Sequence, residues 1–127
     1  RKEIDYEAPR IDVKEHRLRM VENYIHFNLM HNITIDDLAQ HVFMSKRNLS
    51  RVVKEMTGKS VHQYVTKLRV DKALDLIEQT RASMSNIAQW TGFYSPYHLS
   101  RVVKKYTGLS PSNYRKQNSP KEEREAM

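Results

Sequence analysis

A chain of 127 residues with no cysteine and three glycines has room for one compact domain or two very small ones, and it excludes a disulfide framework, a thiolate metal site and a cysteine nucleophile. Its net charge of +7 is unevenly spread. Residues 1–44 hold six Lys/Arg against eight Asp/Glu, residues 45–117 hold fourteen against four, and the last ten hold two against three. No apolar run reaches the length of a membrane span or a signal-peptide core, so no membrane partner is expected.

The chain begins at Arg1 rather than Met, which leads us to expect a piece of a longer protein. Residues 1–12, polar and holding Pro9, read as a linker from a missing upstream domain. Asp12 can cap a helix with Glu15 as its capping-box partner. Leu18, Val21, Ile25 and Leu29 then recur at helical spacing, which predicts an amphipathic helix to about Met30. Thr34 opens a short second helix, with Asp36 and Asp37 in the turn where the dipole favours anions. Ser45 caps a third over SKRNLSRVVKEMT, which Gly58 is placed to stop. Ser60 and Gln63 form a capping-box pattern for a long helix over roughly 61–79.

The plan then restarts. Ser83 precedes the short MSNIAQWT and Gly92-Phe93 makes a turn. Ser95 caps SPYHLSRVVKKYT, with Pro96 at the first helical position and Gly108 as the stop. Ser110-Pro111 opens a last helix, SPSNYRKQ, and the charged tail 118–127 is expected to be disordered. Every glycine falls at a boundary, so the fold class is all-α, with helix 1 and a first helix-turn-helix over 13–59, a linker helix over 60–80 and a second helix-turn-helix with the last helix over 81–117.

The restart is a repeat. Aligning 45–64 on 95–114 gives identity at eleven of twenty positions, where chance supplies about one. LSRVVK occurs at 49–54 and again at 99–104. On the wheel Leu49, Val52, Val53 and Met56 form one buried stripe, and Leu99, Val102, Val103 and Tyr106 form its counterpart. Arg47, Ser50, Arg51 and Lys54 point the other way, as do Tyr97, Ser100, Arg101 and Lys104. A helix with one apolar face and one face of Arg, Lys, Ser and aromatics, seated on a short support helix, is built like a helix-turn-helix reader of the major groove. A 19-residue linker helix spans about 28 Å, close to the roughly 34 Å of one DNA turn. The basic field alone would also suit an acidic membrane surface or a merely solvated face.

These residues resemble a known family. LAQHVFMSKRNLSRVVKEMTGKS, YVTKLRVDKAL and IAQWTGFYSPYHLSRVVKKYTGLSPSNYR are similar to the C-terminal DNA-binding domain of AraC/XylS-type bacterial transcription regulators, over about residues 14–117. The resemblance implies seven helices, two helix-turn-helix units on a long helix, and binding to promoter DNA in a cytoplasmic, nucleoid-associated protein. It also implies an upstream sensing or dimerisation domain and RNA polymerase as a partner. Carried over position by position, the base-reading slots fall on Arg47, Ser50 and Arg51 in the first unit and on Pro96, Tyr97, His98, Ser100 and Arg101 in the second. Phosphate contacts fall to Ser45, Lys46, Lys54, Ser95, Lys104 and Lys105. The chain departs from the family pattern at Phe43, where Gly is usual in the first turn, and at Val53 and Val103, where Phe is usual.

Other constellations carry less. The six histidines include no i, i+4 pair, so no metal is expected. Three scattered glycines cannot cradle a nucleotide, and nothing pairs a nucleophile with a base, so neither a cofactor nor an enzyme is expected. Trp90 reads as a partly buried packing residue, and Tyr64 and Tyr114 as a duplicated structural pair. Arg69 is divided between holding a core carboxylate or carbonyl and touching DNA. The rival to DNA binding is a helical protein-interaction module that meets an acidic partner.

Overall fold

A computed structural model describes residues 13–120. Seven helices follow one another among these residues: α1 (Val13–Phe27), α2 (Ile35–His41), α3 (Lys46–Thr57), α4 (Val61–Gln79), α5 (Met84–Thr91), α6 (Pro96–Thr107) and α7 (Pro111–Asn118). Local chemistry sets most of the boundaries. The Thr34, Ser45, Ser60, Ser83, Ser95 and Ser110 hydroxyls each accept a hydrogen bond from the backbone N–H three residues on, satisfying a donor that the first helical turn leaves unpaired. Ser60 and Gln63 close the full capping box.

Two boundaries differ from the sequence reading. α1 ends at Phe27, one turn before Met30, because the Asn28 side chain donates to the Tyr24 carbonyl (2.8 Å) and the chain turns there. Leu29 still reaches the core. At the other end, Asn118 belongs to α7 and Ser119 is buried as its cap, so the tail starts later than expected. The linker over 1–12, the Asp12 cap and the tail beyond Pro120 lie outside the described residues.

The apolar residues gather into two clusters on α4. The first joins Val21, Ile25, Leu38, Leu49 and Val53 to Val61, Tyr64, Val65 and Leu68. The second joins Val70, Ala73 and Ile77 to Ile87, Ala88, Phe93, Leu99 and Val103. Helices α1–α3 pack on one another, with α1 and α3 also on α4; α6 packs on α5 and α7, and all three pack on α4, so every extensive helix packing stays within a unit or involves α4. The seam falls at Arg69, between Leu68 and Val70.

The predicted stripe holds in the first unit, where Leu49, Val52 and Val53 are buried and Met56 is half-buried. In the second, Leu99 and Val103 are buried and Val102 is half-buried, but Tyr106 is 47% exposed. The stripe therefore closes one turn early, and a wide ring carrying a hydroxyl stays at the surface in the last turn of α6. Trp90 is likewise 41% exposed, more open than a packing residue. Tyr64 and Tyr114 do recur as a pair. Tyr64 is buried and donates its hydroxyl to Glu22 on α1, while Tyr114 faces Glu78 on α4. Burial, then the neighbouring carboxylate, pushes the Tyr64 hydroxyl well above its ordinary value, and burial followed by Glu78 does the same for Tyr114.

Candidate nucleic-acid interface

Each repeat seats its longer helix on a short one through a tight turn. After α2, the N–H of Phe43 bonds the Gln40 carbonyl (3.3 Å) and that of Met44 bonds the Ala39 carbonyl (2.9 Å). After α5, Gly92 bonds Gln89 (3.3 Å) and Phe93 bonds Ala88 (2.9 Å), the same pair of bonds. The conformation is left-handed in both, with φ 57° at Phe43 and 83° at Gly92. Phe43 thus adopts the backbone that the glycine adopts in the second unit, with its ring 87% exposed. The unusual residue keeps the usual turn.

The predicted reading residues emerge unequally. On α3 Arg47 and Arg51 are exposed and Ser50 is half-buried. On α6 Pro96, Tyr97 and Arg101 are exposed, Tyr97 at 80%, while Ser100 is half-buried. His98 is half-buried, its ring edge-on to Phe93 with centroids 5.4 Å apart and tilted against Tyr94 at 5.5 Å. Its Nδ1 is buried without a hydrogen-bond partner. Of the expected phosphate contacts, Lys46, Lys54, Lys104 and Lys105 are exposed, and the Ser45 and Ser95 hydroxyls serve their helix caps. Except for His98, these residues carry few ties to the interior.

The two basic faces differ in their acidic neighbours, which the wheel alone does not show. Arg51 pairs with Glu55 (3.3 Å), and its Nη2 meets the Asn48 side-chain oxygen at 3.5 Å. Glu55 also binds Lys14 of α1 (2.7 Å), and these cations, Lys14 foremost, hold its carboxyl below the ordinary range. Lys46 pairs with Asp36 of α2 (3.1 Å). Lys54 donates to the Gly58 carbonyl at 3.1 Å, helping to close α3. The counterpart of Glu55 in the second repeat is Lys105. Among the described residues Arg101, Lys104 and Lys105 enter no ion pair. The signal for Glu55 lay in its i, i+4 spacing from Arg51; Lys14 is 41 residues away and gave none.

Arg69 resolves toward carbonyls. It donates through Nη1 to the carbonyls of Leu29 and Thr91 (2.9 Å for Thr91) and through Nη2 to that of His31 (3.1 Å). A second arginine, Arg115 on α7, donates to Ile77 and Ala82 carbonyls, both at 2.8 Å, and closes the end of α4. Among the described residues no three of His, Asp and Glu gather as a metal site, and no helix is long and apolar enough to cross a membrane.

Residues 38–117 match the family described as helix-turn-helix domain. A probable transcriptional regulator, LumQ, of Photobacterium leiognathi is 33% identical over 103 residues, covering 80% of this chain and 42% of that protein. The fold is similar to the crystal structure of a Chromobacterium violaceum transcriptional regulator described as AraC-type DNA-binding domain-containing, with a TM-score of 0.78, 27% identity, and coverage of 84% of this chain and 96% of that one. It is also similar to the DNA-binding domain of AdpA, a global transcriptional factor solved with a target DNA, with a TM-score of 0.68, 27% identity, and coverage of 83% and 91%. The chain spans well under two thirds of the curated relatives it matches, 40% and 42% of the first two.

Proposed function

The chain belongs to the AraC-type helix-turn-helix family, and on that footing we propose that it binds double-stranded promoter DNA sequence-specifically, with α3 and α6 as reading helices in successive major grooves. One observation carries this reading. The same Arg-Ser-Lys face, its Arg and Lys exposed and its Ser half-buried, occurs twice, on helices seated on short supports through turns with the same hydrogen bonds. Arg47, Ser50 and Arg51 read one groove; Pro96, Tyr97, Ser100 and Arg101 read the other. Arginine suits guanine, which offers two acceptors on its major-groove edge, and Tyr97 suits a thymine methyl or a sugar. With the Nδ1 of His98 turned inward, Nε2 is its nitrogen for a base contact. Lys46, Lys54, Lys104 and Lys105, with the N–H groups at the starts of α3 and α6 behind Ser45 and Ser95, hold phosphates and set the register.

The longer protein, on this reading, is a cytoplasmic, nucleoid-associated transcription regulator. It carries an upstream sensing or dimerisation domain joined through residues 1–12, and it works with RNA polymerase. Binding is the function of this segment, with no catalytic step.

Selection of bound sequences from a random duplex pool tests the proposal. The expected product is a bipartite site with half-sites about one helical turn apart, bound less tightly as salt rises. A pool that yields no shared sequence overturns specific reading. A footprint confined to one major groove overturns the second reading helix.

A further inference from the structure

The two apolar clusters do not merge across α4, and no extensive packing joins α1–α3 directly to α5–α7. A shared helix transmits position, but a side chain that grips both units can also hold their mutual angle. Arg69 stands at that seam. Two of its acceptors, the Leu29 and His31 carbonyls, lie in the turn that leaves α1; the third, Thr91, is the last residue of α5. One planar guanidinium therefore joins backbone of the first unit to backbone of the second. The approach is close enough that a Cβ on Gly92 would overlap the guanidinium and the Leu29 carbonyl oxygen. Carbonyl groups belong to rigid backbone, so a fork holding three of them in fixed directions constrains rotation as well as distance.

We propose that Arg69 is the positioning residue that fixes the angle between the two helix-turn-helix units, and through it the half-site spacing that the chain accepts. The spacing half of this statement rests on the DNA reading above; the angular half does not. Arg115 supplies the contrast. Its two acceptors, Ile77 and Ala82, both lie at the end of α4 and in the connection that follows, so it ties α7 to its own unit and leaves the seam alone. Burial disfavours the charged form of Arg69, yet guanidinium stays protonated in proteins, so the three carbonyls are held by a full charge.

The test has two arms, both run on the whole 127-residue chain. Because the sequence has no cysteine, Gln40→Cys on α2 and Asn86→Cys on α5, both exposed, accept one spin label each without background. In free protein the distance distribution between them should be narrow for wild type and Arg115→Met, and shifted or broadened for Arg69→Met. The second arm measures binding to duplexes whose selected half-sites are moved by one and two base pairs either way. Wild type and Arg115→Met should lose on the order of tenfold or more per misplaced base pair, and Arg69→Met less than about threefold. If Arg69→Met fails to fold, Arg69→Lys is read in both arms, since a single ammonium cannot hold three divergent carbonyls as the fork does. An unchanged distance distribution overturns the brace. A changed distribution with the wild-type spacing profile overturns the role in spacing and leaves Arg69 a residue of the fold alone. Should wild type bind no specific duplex, the DNA reading fails by itself, and the label distances still decide the brace.

Discussion

Phe43 and Gly92 occupy the same left-handed turn, yet they differ in what stands beside them. Phe43 carries an exposed ring in a conformation that costs an L-residue roughly 1–2 kcal/mol. Phe43→Gly relieves that and gives back roughly 0.5–1 kcal/mol of backbone entropy, so we expect a net gain of up to about 1.5 kcal/mol in denaturant unfolding. Gly92→Ala meets the left-handed penalty and also the Arg69 guanidinium; the two effects together should cost about 3 kcal/mol or more. The proposed reading residues make a second case. Arg101→Ala should cost about 1–3 kcal/mol on the selected site and relax base preference locally. On the proposed reading Arg51 must leave Glu55 before it meets a base, so Glu55→Gln should tighten binding, and by less in an Arg51→Ala background. The Arg51–Glu55 spacing was legible in the sequence. The third member, Lys14, reaches Glu55 only through the folded packing of α1 on α3.

At the scale of the helix, the Ser caps join stability to the proposed contact with DNA. Ser45→Ala should cost about 1 kcal/mol of stability. Ser45→Asp keeps a cap acceptor and suits the helix dipole, so unfolding should be nearly unchanged while affinity falls on cognate and random duplex alike, because the new carboxylate faces phosphate. Tyr64 ties α4 to α1 through Glu22, and Tyr64→Phe should cost about 1–3 kcal/mol at neutral pH. Because the folded state raises the Tyr64 hydroxyl above its unfolded value near 10, its stabilisation is complete below that pH and is lost as pH rises beyond it. Wild type should therefore weaken in alkali more steeply than Tyr64→Phe, as followed by denaturant midpoints. Caps and stops were readable because each depends on residues within four positions of the boundary. The end of α1 was not: periodicity carried Leu29 into the helix, whereas Asn28 turns the chain and presents the Leu29 carbonyl to an arginine 40 residues away. Tyr106 was misplaced for a related reason, since a wheel shows direction but not where neighbouring helices stop covering it.

Across the whole molecule, the repeat announced two units, and the apolar spacing named the α1 and α3 members of the first core and the α6 members of the second, but none from α4 or α5. What it left open was their separation along α4. That depends on which turn of the long helix each cluster claims, a property of packing in three dimensions. The division has a measurable consequence. Ile87→Ala removes fully buried volume from the second cluster alone and should cost about 2–5 kcal/mol. Hydrogen exchange should then accelerate most in α5–α7, with α1–α3 amides keeping more of their protection. Uniform acceleration through all seven helices would mean that the clusters open as one.

The 19 residues of α4 also act as an angular setting. Each residue added to an α-helix advances its far end by 1.5 Å and turns it by about 100°. One alanine inserted in the exposed part of α4 beyond Arg69 would swing α6 more than a quarter-turn around the axis while barely lengthening the arm. Seven residues would bring the turn back to within about 20° and extend the arm by about 10 Å, the rise of roughly three base pairs. Three base pairs turn the groove itself by about 100°, so a heptad insertion should weaken binding as a lone alanine does, by the phase of the DNA rather than of the helix, while both units remain folded.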